Sequence, residues 1–278
     1  MGQLPFLLLL LSSATIAAIA SADDDPTGFV YAGCSQPKYS PGSPFEYNVD
    51  SLLSSLANAA ASSPYANFTS AAAVPSPPVS GLFQCRGDLA ASDCSSCVRS
   101  ALSRLSSFCP AAMGAALQLR ACYLRYGNDS FLGRPDTSLL YKTCATGAAA
   151  AAAGGVSDFL EARDSALSSL SGSSYRVGAA GGVRADGQCV GDLSADQCSD
   201  CLAAAGSQVK ASCGGAASGE AYLGKCYIRY YSNGAPAYAY GVGGVSSGGS
   251  GGKISYNHRR WPLRCHHLIP IYLLFINY

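Results

Sequence analysis

Cysteine is the residue type with which this chain could do chemistry. The stretch Cys85-Arg-Gly-Asp-Leu-Ala-Ala-Ser-Asp-Cys94-Ser-Ser-Cys97 recurs as Cys189-Val-Gly-Asp-Leu-Ser-Ala-Asp-Gln-Cys198-Ser-Asp-Cys201, so a C-x8-C-x2-C pattern occurs twice. The next cysteines follow at Cys109 and Cys122 in the first copy and at Cys213 and Cys226 in the second, so five successive cysteines repeat at one offset of 104 residues. Each array has an upstream companion, Cys34 in Tyr-Ala-Gly-Cys and Cys144 in Tyr-Lys-Thr-Cys. That makes six per repeat and leaves Cys265 unpaired among thirteen. C-x2-C is a zinc spacing as well as a disulfide spacing. Zinc reads poorly here, because a secreted chain has little need of it and all three histidines, His258, His266 and His267, lie beyond the repeats. An even six in each repeat points to disulfides in an oxidising compartment, each worth ~2–4 kcal/mol. Six cysteines allow 15 pairings, and the spacing alone does not choose among them.

The second possible chemistry is that of carboxylates. With no histidine inside the repeats, Ser-His-Asp and Cys-His machinery has no base. Asp88 and its copy Asp192 are the only acids kept at one place in both repeats. A glycosidase needs two carboxylates flanking one bond. Here no second acid is fixed in register, and the position in Cys-x-Gly-Asp-Leu suits a turn or helix cap. The chain therefore reads as a non-enzyme with no catalytic residues, cofactor or metal.

The elements that must position these residues follow from periodicity. Phe29-Val-Tyr-Ala is a short strand into Cys34, and Pro37 to Pro44 is a loop. From Phe45 to Ala61 the residues Val49, Leu52, Leu53, Leu56, Ala57 and Ala60 form one stripe of an amphipathic helix, which Pro64 ends. The Pro-rich run Val74-Pro-Ser-Pro-Pro is an edge or loop, and Val79 to Cys85 has strand character. A helix starting near Ser92 puts Cys94 and Cys97 on one face, continued by Val98, Leu102 and Leu105. In the second copy Ser194-Ala-Asp-Gln197 is a capping-box pattern. Ala115 to Leu119, Tyr123 to Tyr126 and Tyr222 to Tyr230 alternate as strands, and Phe131 to Tyr141 joins the repeats. Ala148 to Ala153 with Gly154 and Gly155 is a spacer before a second copy of the first helix, Ser157 to Ser171. Each repeat is thus α+β, with helices on one face of an antiparallel sheet.

The ends of the chain bound its compartment. Pro5 to Ala20 is apolar and ends in Ala20-Ser21-Ala22, so residues 1–22 read as a signal peptide. The organisation that follows is a first cysteine-rich repeat at 27–142, a second at 143–240, and a Gly/Ser linker at 241–252. Residues 253–278 form a basic and apolar tail. Its longest apolar run, Leu268 to Ile276, is broken by Pro270, and extending it backwards to span length would bury Arg260 and Arg264, so it is not a convincing transmembrane span. Two sequons, Asn67-Phe-Thr and Asn128-Asp-Ser, are candidate glycosylation sites. Residues 23–252 carry 17 acidic and 14 basic side chains with no basic stripe, which excludes nucleic acid as a partner.

With C-x8-C-x2-C in tandem behind a leader, the chain resembles the plant secreted cysteine-rich repeat family, also called domain of unknown function 26 or salt-stress/antifungal. Within it, Phe-Val-Tyr-Ala-Gly-Cys34-Ser-Gln-Pro-Lys-Tyr-Ser-Pro, the Asn67-Phe-Thr segment and Gly-Asp-Leu-Ser-Ala-Asp-Gln-Cys198-Ser-Asp-Cys201-Leu are similar to the plasmodesmata-located group, over about residues 29–232. The resemblance implies two helices packed on a five-stranded antiparallel sheet in each of two tandem disulfide-rich repeats. It also implies the pairs Cys34–Cys109, Cys85–Cys94, Cys97–Cys122, Cys144–Cys213, Cys189–Cys198 and Cys201–Cys226. Some family members bind mannose through an Asn, an Arg and a Glu; the arginine's place falls at Ala116 and at Glu220 here, so that triad is not carried over. Tyr123, Tyr126, Tyr227, Tyr230 and Tyr231 could stack on sugar rings, but tyrosine alternating on a strand more often packs in a core. By resemblance the expected function is that of a non-enzymatic cell-surface or apoplastic protein regulating cell-to-cell permeability and callose deposition. Its expected partners are surface proteins or cell-wall glycans, and it would be a possible homo- or hetero-oligomer. The alternative is a soluble secreted carbohydrate-binding defence protein. The expected location is the plasmodesmata, or the apoplast if the tail does not anchor.

Overall fold

A computed structural model describes residues 25–71, 76–147, 155–172 and 174–232. The leader, the Gly/Ser linker, the tail with Cys265 and most of the alanine spacer lie outside these. The elements of the first unit are β1 (Phe29–Cys34), α1 (Pro44–Ala59), β2 (Tyr65–Ser70), β3 (Val79–Cys85), α2 (Ala91–Phe108), β4 (Ala115–Leu119) and β5 (Cys122–Gly127). The second unit repeats them as β6 (Leu139–Cys144), α3 (Gly155–Ser168), β7 (Arg176–Ala180), β8 (Val183–Cys189), α4 (Ala195–Cys213), β9 (Ser218–Leu223) and β10 (Cys226–Ser232).

The strands form two antiparallel five-stranded sheets of matching order, β1-β4-β5-β3-β2 and β6-β9-β10-β8-β7. Each carries its two helices on one face, so the fold is α+β with two helices on a five-stranded antiparallel sheet per unit. Local chemistry sets the helix starts. Ser43 caps α1 by accepting from the Glu46 amide, with Pro44 in the first turn, and Ser194 and Gln197 close a capping box on α4. The α1 stripe Phe45, Val49, Leu52 and Leu56 meets Phe83, Leu117 and Leu124 of the sheet and Val98, Ala101 and Leu105 of α2 in the first core. Phe159, Ala166, Leu202, Val209, Ile228 and Tyr230 build the second core.

Six disulfides join helices to strands: Cys34–Cys109, Cys85–Cys94 and Cys97–Cys122, and in the same places Cys144–Cys213, Cys189–Cys198 and Cys201–Cys226. Cys94 and Cys97, one helical turn apart, therefore tie α2 to the end of β3 and to the start of β5.

Two elements differ from the sequence reading. Tyr222 to Tyr230 is not one strand but the hairpin β9–β10, turning at Gly224 and Lys225, where a Cβ on Gly224 would clash with the Asp136 side chain. The connecting segment Phe131 to Tyr141 ends inside β6, which pairs with β9, so the second sheet takes in residues from Leu139 onward. β2, β7 and β8 were not evident from periodicity. β8 reads Val-Arg-Ala-Asp-Gly-Gln-Cys, and its polar residues Asp186 and Gln188 are buried. They can be polar because the outer face of this sheet is covered by the other unit.

Candidate functional site

A third apolar cluster, distinct from the two unit cores, joins the sheet faces that carry no helices: Val30, Tyr31, Leu82 and Tyr123 of the first unit with Val190 and Tyr222 of the second, and Phe131 of the connection. The chain is therefore layered helix, sheet, sheet, helix. At this seam the Cys-x-Gly-Asp turn of each motif faces the other unit. Gln84 precedes Cys85 and accepts through Oε1 from the Gly191 amide at 2.9 Å; Gln188 precedes Cys189 and accepts from the Gly87 amide at 3.1 Å. The two bonds are copies of one another, as in an isologous dimer contact. The glycines are required by close approach: a Cβ on Gly87 would lie 2.7 Å from the Tyr175 Cβ, and one on Gly191 would lie 2.9 Å from the Tyr65 Cγ. Tyr65 and Tyr175 are equivalent too, at the same offset of 110 residues that relates Cys34 to Cys144. On the local axis, Tyr31 of β1 stacks on Tyr141 of β6 with centroids 6.4 Å apart, and Tyr222 meets Tyr31 edge-on and Tyr141 at a tilt.

Charge breaks this symmetry. Arg120 Nη1 reaches across the seam to Glu220 Oε2 at 2.5 Å, with both side chains largely buried; the equivalent positions are Gly224 and Ala116. Tyr222 also donates to Glu220, at 3.1 Å. Asp192 accepts from the buried Lys225 ammonium and, at 2.8 Å, from the Gly133 amide of the connection. Asp88, its copy, is exposed and paired only with Arg86, at 2.6 Å. Asp186 accepts from Arg229 through both Nε and Nη2. Burial lowers the Lys225 pKa against the opposing pull of Asp192. Burial also raises the tyrosines: Tyr123 to about 12, and Tyr31 and Tyr227 well above their usual value.

The structure brings the candidate residues to different places. Asp88 and Asp192 are not brought together; each is tied to a cation of its own unit. Tyr126 and Tyr230 lie in the unit cores, their hydroxyls donating to Ala112 and Ala216 carbonyls at 2.8 and 3.0 Å. Tyr123 and Tyr227 are in the seam, and Tyr231 is half-buried at the end of β10. Asn67 is exposed on β2, and Asn128 is exposed in the turn after β5. Ala116 and Glu220 occupy matching strand positions, the second taken by the Arg120 ion pair. Among the described residues, no group of three or more His, Cys, Asp or Glu side chains is placed to hold a metal ion. A cleft in the seam between Arg86, Gln188 and Tyr227 has a volume of about 30 Å³, room for about two waters and far below that of a ligand pocket. The sequence reading missed Gln84, Gln188, Arg120 and Lys225. A signal was present for the first two, since a glutamine stands immediately before the first motif cysteine in both copies.

The fold and seam define a class: a tandem disulfide-stapled α+β protein whose two units are joined by an apolar seam and one buried cross-unit ion pair. The salt stress response/antifungal family matches residues 33–129 and 143–233, and the chain belongs to that family. It is 43% identical to plasmodesmata-located protein 7 of Arabidopsis thaliana over 235 residues, 84% of this chain and 77% of that one. It is 47% identical to plasmodesmata-located protein 6 of the same plant over 222 residues, 78% and 75% of the two chains. Among solved structures, it superposes on the crystal structure of the tandem DUF26 ectodomain of the Arabidopsis thaliana cysteine-rich receptor-like protein PDLP8 with a TM-score of 0.70 at 41% identity, covering 75% of this chain and all of that one.

Proposed function

We propose that this chain is a non-enzymatic cell-surface or apoplastic interaction protein of the plasmodesmata-located kind, acting on cell-to-cell permeability through contacts of its ectodomain with surface proteins or wall glycans. The observation that carries this reading is the use of the charged side chains in the seam. Arg120 pairs with Glu220 across the seam, while Lys225 with Asp192 and Arg229 with Asp186 pair within the second unit, so these charges are committed to ion pairs and the cross-seam pair helps fuse two units into a single display surface. Identity of 43% and 47% to proteins named for plasmodesmata supports the location. No helix among the described residues is long and apolar enough to cross a membrane. The carbohydrate-binding alternative gains nothing from Tyr123, Tyr126, Tyr227 and Tyr230, which are packed in cores or seam.

The deciding experiment places a fluorescent protein within the Gly/Ser linker and follows the fusion in leaf epidermis, with dye movement between cells as the second readout. Punctate wall signal coincident with plasmodesmata and altered dye spread are expected. Uniform apoplastic signal with unchanged spread, together with binding on a glycan array, would favour the defence-lectin reading.

A further inference from the structure

We propose that Asn67 is N-glycosylated and that its glycan covers the open edge of β2, preventing copies of the protein from pairing strand to strand. The four outer strands of the two sheets are β1, β2, β6 and β7. An unprotected edge is a template for pairing with another chain, and natural sheets blunt it with bulges, charges, prolines or short length. Three of the four edges carry such a device. The ladders of β1 and β6 are broken by register shifts between Phe29 and Tyr31 and between Leu139 and Tyr141. β7 has five residues and starts with Arg176. β2 has none of these. Its six residues, Tyr-Ala-Asn-Phe-Thr-Ser, contain no charge and no proline, pair with β3 in unbroken register, and expose Phe68 at 39%. Such an uncharged, aromatic-bearing six-residue segment is the composition that self-pairs.

The sequon lies on this edge and on no other. Asn67 matches Val177 of β7, so the second unit has no counterpart. Asn67 is exposed, and its Nδ2 donates one hydrogen to the Tyr65 hydroxyl at 2.7 Å. The amide nitrogen has two hydrogens, so substitution of one leaves the other to keep this bond. The donor required is an oligosaccharide on a lipid diphosphate. The anomeric carbon forms a bond to Nδ2, its bond to the diphosphate oxygen breaks, the lipid diphosphate leaves with the electron pair, and one amide proton is lost. No oxidation or reduction is involved.

The test uses the full chain made through the secretory pathway of plant cells. Peptide mapping is expected to find glycan on Asn67. Native wild-type protein trimmed by an endoglycosidase to a single sugar, which needs no refolding, is expected to self-associate at least tenfold more tightly by analytical ultracentrifugation. Asn67→Gln and Thr69→Ala should do the same, while Thr69→Ser, which keeps the sequon, should behave as wild type. Phe68→Lys in the Asn67→Gln background should restore the monomer by charging the edge. An unmodified Asn67 overturns the proposal, and so does trimmed or Asn67→Gln protein that stays as monomeric as the wild type.

Discussion

Tyr31 and Tyr141 hold the same place in their units, and their rings lie against each other at 6.4 Å with planes 23° apart. A residue stacked on its own copy marks a two-fold relation, and the Gln84–Gly191 and Gln188–Gly87 bonds obey the same relation. The first prediction tests that seam. Gly87→Ala and Gly191→Ala should each destabilise by ~1–3 kcal/mol through overpacking against Tyr175 and Tyr65. Urea unfolding gives the magnitude. Hydrogen exchange should show faster exchange at the seam, with the cores of both units retained.

Arg120 and Glu220 form the one cross-seam ion pair among the described residues, largely buried. Removing one partner leaves a charge without its counterion, so Arg120→Leu or Glu220→Leu alone should cost ~3 kcal/mol. Arg120→Leu with Glu220→Leu should cost less than either single change. A double-mutant cycle in denaturant measures the coupling, and simple additivity would show that the pair contributes nothing as a pair.

Asp88 and Asp192 are the same letter in the repeated motif with different fates. Asp88→Asn should change stability by less than ~0.5 kcal/mol, since its carboxylate is exposed beside Arg86. Asp192→Asn should cost ~3 kcal/mol because it strands the buried Lys225 ammonium. Equal effects in thermal melts would contradict the asymmetry.

Alkali should unfold the protein early. Tyr31, Tyr123, Tyr222 and Tyr227 have folded pKa values raised by burial, while in the unfolded chain they ionise near 10. The folded state then holds more protons than the unfolded one above pH ~10. The stability is complete below that pH and falls as pH rises toward 12, by up to about 1.4 kcal/mol per pH unit per tyrosine. The lowered Lys225 acts in the opposite sense, but it is a single group against several tyrosines. Tyrosinate absorbance and circular dichroism recorded together should change in a single step.

The disulfides should not be equivalent. Cys34–Cys109 closes a separation of 75 residues and Cys85–Cys94 one of 9. On the loop-closure account the long bridge contributes ~4 kcal/mol and the short one ~3. Paired Cys→Ser variants, Cys34 with Cys109 and Cys85 with Cys94, compared by denaturant midpoint, should preserve that order.

The sequence was most informative about what is local and repeated. The α1 stripe, the Ser194 and Gln197 box and the alternation around Cys122 each signal one element, and the structure has all three. It was least informative where a residue's reason lies in the other unit. Gln188 and Asp186 look wrong for a buried strand until the second sheet covers them. Gly87 and Gly191 look like turn glycines, and only the packed seam shows that a methyl group would strike a tyrosine ring or stem. Glu220 read as a lost sugar-binding position, whereas its partner Arg120 stands 100 residues earlier in the chain.

The connection between the units has a further consequence. Only eleven residues, 128–138, separate β5 from β6, and Phe131 and Gly133 are themselves bound to the seam. A tether this short holds its ends at a millimolar effective concentration. A seam with an intrinsic dissociation constant of about 1 μM would then be closed in roughly 999 molecules of every 1,000. The interface can therefore remain modest in intrinsic affinity while the two outward helical layers present themselves to any binder together.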